Sequence, residues 1–433
     1  MSKDKKSSKK HRTIETSSSL QSQPTWDDLN AIALTKARQC HPLVHSQADE
    51  PGSQFMLNAG VVRAVLILST VLLFEKSMCE AGDVPTPKPN ILLIIADDMG
   101  YSDISCFGGE IQTPHIDSLA KSGIRATNFY VGPTCSPTRS MLLSGCDHHV
   151  AGFGNMDELA GPEQKKLSAR RMEVYAAMLA NMDHHIGRLV DHLKQTGQYE
   201  NTVVVFLSDN GAEPVELATL VDTVFSADAK KWFFENFDTR PESWGRKGSA
   251  TDYGAAWAQV GSTPLRFYKA WTSDGGIRTP LIIAGAGVKN AGAIKTAVMH
   301  ATDLVPTFME LAEAKHPSET DKKLAPLRGK SLNPLLTGKT ESVRTEEDWI
   351  GEELFGNRMI RQGDWKICYI QKTAGGSGEW ELFNIKNDLG ETTNLSRQEP
   401  AKTKAMLALW EEYVAQNGVV LTDDGPFKAK AAP

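Results

Sequence analysis

A chain of 433 residues with 40% hydrophobic side chains has enough apolar material for two domains, or for one large α/β domain with an appendage. Its 53 acidic residues against 47 basic ones leave a net charge of −6, so nothing in the balance calls for nucleic acid as a partner. The six cysteines, Cys40, Cys79, Cys106, Cys135, Cys146 and Cys368, show neither dense pairing nor Cys-x-x-Cys spacing, which argues against a disulfide scaffold and a zinc site.

Residues 1–55 read as a disordered polar tail. Met1 to Arg12 carries five lysines and one arginine against one aspartate, the pattern of a solvated end. Residues 56–87 read as a hydrophobic signal-like segment and a Pro-rich linker. The apolar run Ala64 to Phe74 is short for a membrane span and has small residues, Ala81-Gly82, behind it, like the middle of a signal peptide. If 56–82 acts as a signal, the protein enters the secretory pathway and Asn394-Leu-Ser396 becomes a glycosylation acceptor; otherwise it is cytoplasmic.

Asn90-Ile-Leu-Leu-Ile-Ile-Ala-Asp97-Asp98 follows, a continuous apolar run that predicts a parallel strand buried on both faces. Two aspartates close it at the edge where open α/β sheets collect ligands, so they read as a metal site or as simple turn acids. Thr113 to Gly123 predicts an amphipathic helix and Ile124 to Tyr130 the next strand, the helix being the crossover that parallel strands require.

Next comes Val131-Gly-Pro-Thr-Cys135-Ser-Pro137-Thr-Arg139-Ser-Met-Leu-Leu-Ser-Gly145. Pro137 suits the first turn of a helix, which puts Cys135 at the positive helix end, where a thiolate is favoured. On residues alone, Cys135 is either a nucleophile facing an anion, with Arg139 as a fixed cation, or a buried structural cysteine. Asp147-His148-His149 points its adjacent histidines in different directions and reads as structure or substrate rim. Glu173 to Leu193 predicts a second amphipathic helix with His184-His185 on its surface. Asn201-Thr-Val-Val-Val-Phe-Leu-Ser-Asp209-Asn210-Gly211 then repeats the strand-and-acid arrangement. Two such strands would bring Asp97, Asp98, Asp209 and Asn210 to one edge, an all-oxygen site suited to Ca²⁺ or Mg²⁺ rather than zinc. Farther on, Asp303 is a plausible N-cap for a helix to Ala312, 316–345 reads as a linker, and 346–433 as a subdomain of hairpin strands closed by a helix over Lys402 to Gln416.

Cys135-x-Pro137-x-Arg139 with Met141-Leu-Leu-Ser-Gly145 resembles the signature of the sulfatase family, and Asp97, Asp98, Asp209 and Asn210 match that family's metal ligands. Thr263-Pro-Leu-Arg-Phe-Tyr-Lys269 to Gly275-Gly276-Ile-Arg278 is similar to its sulfate-contacting segment. The resemblance implies an α/β fold of alkaline-phosphatase type, with a mostly parallel sheet flanked by helices in a catalytic domain over 88–315. It also implies a small C-terminal α+β subdomain with an antiparallel sheet. It implies that a formylglycine-generating enzyme converts Cys135 to formylglycine, which joins the metal ligands and, as its hydrate, attacks sulfur. Arg139 is then catalytic and Lys269 binds sulfate. The expected activity is arylsulfatase-type hydrolysis of a small-molecule sulfate ester with calcium, magnesium being the alternative.

The chain departs from this family between Asp157 and Ser168, where relatives carry a long region with two further core strands. Their Gly-Lys-Trp-His-Leu-Gly motif, whose lysine and histidine hold the aldehyde hydrate, occurs nowhere here, nor does a later Pro-His pair. The alternative reading is therefore a catalytically impaired relative that binds only metal and anion. Loss of interior strands also predicts an exposed apolar edge on their neighbours.

Overall fold

The computed structural model describes residues 88–144, 165–223, 226–321, 323–419 and 421. The expected tail and signal-like segment, Asp147-His148-His149, and 157–164 fall outside the described residues.

Seven-residue β-branched and aliphatic runs form the two strands that lead to the site, β1 (Asn90–Ala96) and β3 (Thr202–Ser208), paired parallel from Asn90 opposite Thr202 to Ala96 opposite Ser208. Between them in sequence come helix α1 (Pro114–Ser122), β2 (Gly123–Tyr130), helix α2 (Cys135–Ser144) and the long helix α3 (Lys165–Gln195). Later in the chain come a short helix α4 (Asp274–Ile277), β4 (Arg278–Gly285) and the two-residue strands β5 (Ile294–Lys295) and β6 (Met299–His300). The sheet runs β1-β3-β4-β2-β5, with β6 also on β2. It is mixed: β4 lies antiparallel to both β3 and β2, and the other pairings are parallel.

Alternation along β3 feeds two cores, as a sheet covered on both faces requires. Val203, Val205 and Leu207 pack with Met141 and Leu142 of α2 and with Leu304, whereas Val204 and Phe206 pack with Leu119 of α1 and with Leu179 and Ile186 of α3. Every residue of β3 is buried, but Ile91 to Ile95 of β1 are only half-buried. Among the described residues β1 has no strand beyond it, so the expected exposed apolar edge falls on β1.

Helix α5 (Leu304–Leu311) follows Asp303, which does not cap it as the sequence suggests. The Asp303 carboxylate is taken instead by Arg344 and by the backbone N–H groups of His300 and Lys330. Within 316–345, Leu332, Leu335 and Leu336 join the first core. The C-terminal strands β7 (Trp349–Leu354), β8 (Asn357–Gln362), β9 (Trp365–Tyr369) and β10 (Trp380–Asn384) form an antiparallel sheet in the order β10-β9-β8-β7. One face packs Met359, Cys368 and Phe383 against Tyr130 and Ile277; the other is covered by Met406, Trp410 and Tyr413 of helix α6 (Pro400–Asn417).

Candidate active site

Because β1 and β3 end in register, Asp97-Asp98 and Asp209-Asn210 emerge side by side at one sheet edge. The Asp209 N–H donates to the Ala96 carbonyl at 3.1 Å, and the Asp98 N–H donates to Asp209 Oδ1, also at 3.1 Å. Asp98 sits at φ 60°, a left-handed conformation that aspartate tolerates better than most residues. Asn210 Nδ2 donates to Asp98 Oδ1 at 2.8 Å. The loop beyond is fixed by close backbone approach: Gly211 N–H donates to the Gly276 carbonyl, and a Cβ on Gly211 would run into the Gly275 carbonyl.

Helix α2 brings the other half. Cys135 opens it and Arg139 follows one turn on, with Nη2 2.8 Å from Asp97 Oδ2 and Nε 3.3 Å from Asp209 Oδ2. Ligand atoms of Asp97, Cys135 and Asp209 all lie within 4.8 Å of one another. Lys269 completes the group, its ammonium 2.7 Å from Asp98 Oδ1 and also held by Glu213. All seven residues singled out from the sequence thus meet in one place.

Glu213 is a member that sequence reasoning missed. In Gly211-Ala-Glu213-Pro214 it looks like an ordinary turn acid, and the only signal was its closeness to Asn210. Its Oε1 accepts from the Val215 N–H at 3.0 Å, and its own N–H donates to Tyr253 Oη at 3.1 Å. Arg278, which the sequence leaves open between holding the turn and touching substrate, is buried and donates to the Thr127 carbonyl and to Asp274.

The electrostatics suit a cation. Burial pushes Asp98 up to about 7 against the pull of Lys269, and burial with the neighbouring Asp97 charge pushes Asp209 up to about 6. Burial opposes the Lys269 ammonium, yet Glu213 and Asp98 outweigh it and hold its pKa above the usual lysine value. Asn210 Oδ1 is buried with no hydrogen-bond partner. The Asp97 and Asp209 carboxylates and the orphaned Asn210 amide oxygen are hard donors of the kind that Ca²⁺ or Mg²⁺ prefers, whereas the Asp98 carboxylate stands outside the group formed by Asp97, Cys135 and Asp209 and is held by Lys269 and Asn210. The expectation of a favoured thiolate is overturned: burial raises the Cys135 pKa, and the carboxylates of Asp98, Asp209 and Asp97 add to it against Lys269.

Comparison with known proteins is consistent with this geometry. A family model described as "Sulfatase" matches residues 89–169 and 157–314, more than half of the chain. The chain belongs to the sulfatase family. A model described as "N-sulphoglucosamine sulphohydrolase, C-terminal" matches 265–417. Among curated sulfatases, an uncharacterized one from Schizosaccharomyces pombe is 28% identical over 535 aligned positions, covering 78% of this chain and 95% of the relative. An arylsulfatase from Klebsiella aerogenes is 26% identical over 444, covering 60% and 94%. The solved structure of Ps i-CgsB in complex with k-i-k-neocarrahexaose shares the fold, with TM-score 0.55 and 22% identity over 76% of this chain and 93% of its own. The family match divides at 157–169, where the sequence departs from other sulfatases, and the 535-position alignment exceeds the length of this chain. Members of the family are sulfuric ester hydrolases.

Proposed function

We propose that this sulfatase hydrolyses a sulfate monoester of arylsulfatase type at the cluster around Cys135. The observation that carries the reading is the meeting of Asp97, Cys135 and Asp209 ligand atoms within 4.8 Å, bridged by Arg139. Cys135 Sγ stands where a formylglycine oxygen would stand after modification by a formylglycine-generating enzyme. A divalent cation, calcium or magnesium, held by Asp97, Asp98, Asp209, Asn210 and the modified Cys135, would supply positive charge for the hydrate and the sulfate oxygens. Arg139 and Lys269 orient the sulfate and offset charge that builds on its oxygens. Glu213 keeps the Lys269 ammonium charged and aimed.

The test is 4-nitrophenyl sulfate offered to protein co-produced with the modifying enzyme, with formylglycine at position 135 verified by peptide mass. Release of 4-nitrophenol that disappears in Cys135→Ala supports the reading; no release from fully modified protein overturns it.

One observation favours a second reading, an impaired relative that binds metal and anion without turnover. The Lys-Trp-His motif is absent from the sequence, and none of the described histidines hydrogen-bonds a residue of the site: the bonded ones pair with Arg188, Thr302, Glu352 and Ser318. Calcium binding and complete modification without hydrolysis would select that reading.

A further inference from the structure

The N-terminal part of α3 reaches the site through two residues one turn apart. Arg171 and Tyr175 lie at i and i+4, so they share one face of the helix. Arg171 Nη1 donates to Asp252 Oδ1 at 2.9 Å, an ion pair whose side chains are only 11% and 12% exposed. The Tyr175 ring stacks on that of the next residue in the facing segment, Tyr253, with centroids 4.4 Å apart and planes at 21°. Asp252 and Tyr253 in turn hold the loop beyond Asn210. Asp252 Oδ2 accepts the Leu217 N–H at 3.0 Å, and Tyr253 Oη accepts the Glu213 N–H at 3.1 Å.

Tyr175 also holds the loop that leaves β1. Its Oη donates to Asp103 Oδ2 at 2.5 Å, and the same oxygen accepts the N–H of Gly100, the second residue after Asp98, at 2.7 Å. Asp103 is buried, so releasing either bond would leave a polar atom without a partner and away from water. Close backbone packing adds to the constraint: the Ser102 N–H donates to the Gly261 carbonyl at 2.8 Å, and a Cβ on Gly261 would run into Asp103 Oδ1. Lys269 is bonded to Asp98 of one of these loops and to Glu213 of the other. One face of α3 therefore fixes both groups that hold the ammonium.

We propose that Tyr253 is a positioning residue for the sulfate: braced by Tyr175, it fixes Glu213 and through Glu213 aims the Lys269 ammonium. The inference rests on the assignment of Lys269 to the sulfate, and adds Asp103, Tyr175 and Tyr253 to the residues that set its place. Tyr253→Phe keeps the ring that stacks on Tyr175 and removes the acceptor of the Glu213 N–H. The Glu213 carboxylate, and the ammonium bonded to it, then lose their fixed position.

The experiment titrates inorganic sulfate by calorimetry, in buffer containing calcium, into the full native chain, Tyr253→Phe, Glu213→Ala and the double variant. Thermal unfolding verifies that each is folded at the titration temperature. A charge-assisted hydrogen bond from Lys269 to sulfate is worth roughly tenfold in affinity, and a misplaced ammonium forfeits part of it. The expected result is that Tyr253→Phe weakens sulfate binding at least about fivefold in the native background. In the Glu213→Ala background, where no carboxylate remains to be positioned, it weakens binding less than about twofold. A role confined to packing would give the same loss in both backgrounds. Native-like affinity in Tyr253→Phe, equal losses in the two backgrounds, or no sulfate binding by the native chain overturns the proposal. Sulfate binding needs no turnover, so a chain that gives the expected cycle but does not hydrolyse 4-nitrophenyl sulfate loses the enzymatic reading and keeps the brace. A chain that hydrolyses the ester while Tyr253→Phe binds sulfate like the native chain loses the brace alone.

Discussion

Lys366→Met tests whether buried charge ties the C-terminal sheet to the loop that carries Lys269. Lys366 lies on β9 with its Nζ 2.7 Å from Asp274 Oδ1 and 2.8 Å from Glu391 Oε1, all three side chains fully buried. Asp274 opens α4, whose Gly275 and Gly276 pack directly under the backbone of Phe267 to Trp271. Removing one partner of a buried pair costs about 3–5 kcal/mol, because the remaining charge stays buried without compensation. Asp274 would keep Arg278 at 3.3 Å and the Tyr130 hydroxyl at 2.9 Å, so a loss of about 3 kcal/mol, at the lower end of that range, is expected. Glu391 is the group left without a cation. Burial already raises its pKa, and without Lys366 it rises further. A raised acid penalises the folded state above its folded pKa, so the Lys366→Met deficit shrinks as pH falls through that value. Asp274 behaves oppositely in the native chain. Burial alone would raise it, but Lys366, Arg278 and Arg361 hold it below the usual carboxylate range. Its stabilisation is present above the unfolded pKa of about 4 and is lost as pH falls toward the folded value. Urea unfolding followed by tryptophan fluorescence at pH 8 and pH 5.5 measures the Glu391 effect, and a further point near pH 3 measures the loss of the Asp274 contribution in the native chain. A loss under about 1 kcal/mol, or one that does not change with pH, would refute the assignment of charge burial to this cluster.

Calcium binding should weaken from pH 8 to pH 6, because protons occupy Asp98 near 7 and Asp209 near 6 and must leave before the cation enters; calorimetry in two buffers of different ionisation heat checks the proton release. Gly211→Ala should lower stability by about 2 kcal/mol or more and abolish calcium binding, since its Cβ meets the Gly275 carbonyl beside Asn210; thermal unfolding and a calcium titration read the two effects separately.

Much of the site was legible in local text. Apolar runs ending in Asp97-Asp98 and Asp209-Asn210 announce strands with carboxylate and amide oxygens at their ends, and Cys135-x-Pro137-x-Arg139 announces a helix start with a cation one turn on. Pairings between distant positions leave no such trace. Glu213 meets Lys269 across 56 residues, Asp274 meets Lys366 across 92, and the Glu391 carboxylate reaches the Asp274 N–H across 117. The reversed direction of β4 was equally invisible, because periodicity reports burial and not strand polarity. Asp303 misled for a related reason. Its position before Leu304 suits a cap, but Arg344, 41 residues on, supplies a stronger charged partner. The helix end alone favours a Cys135 thiolate, but burial first, and then three neighbouring carboxylates contributed by distant strands, raise its pKa, and neither can be read from the local sequence.

The central claim is that Asp97, Asp98, Asp209 and Asn210 form one divalent-cation site beside Cys135. Calorimetric titration of calcium into the native chain and into Asp209→Asn tests it most directly. The account predicts a single site in the native chain, weakened by at least about tenfold when the buried carboxylate becomes an amide. No binding to the native chain, or equal binding to both, would contradict it.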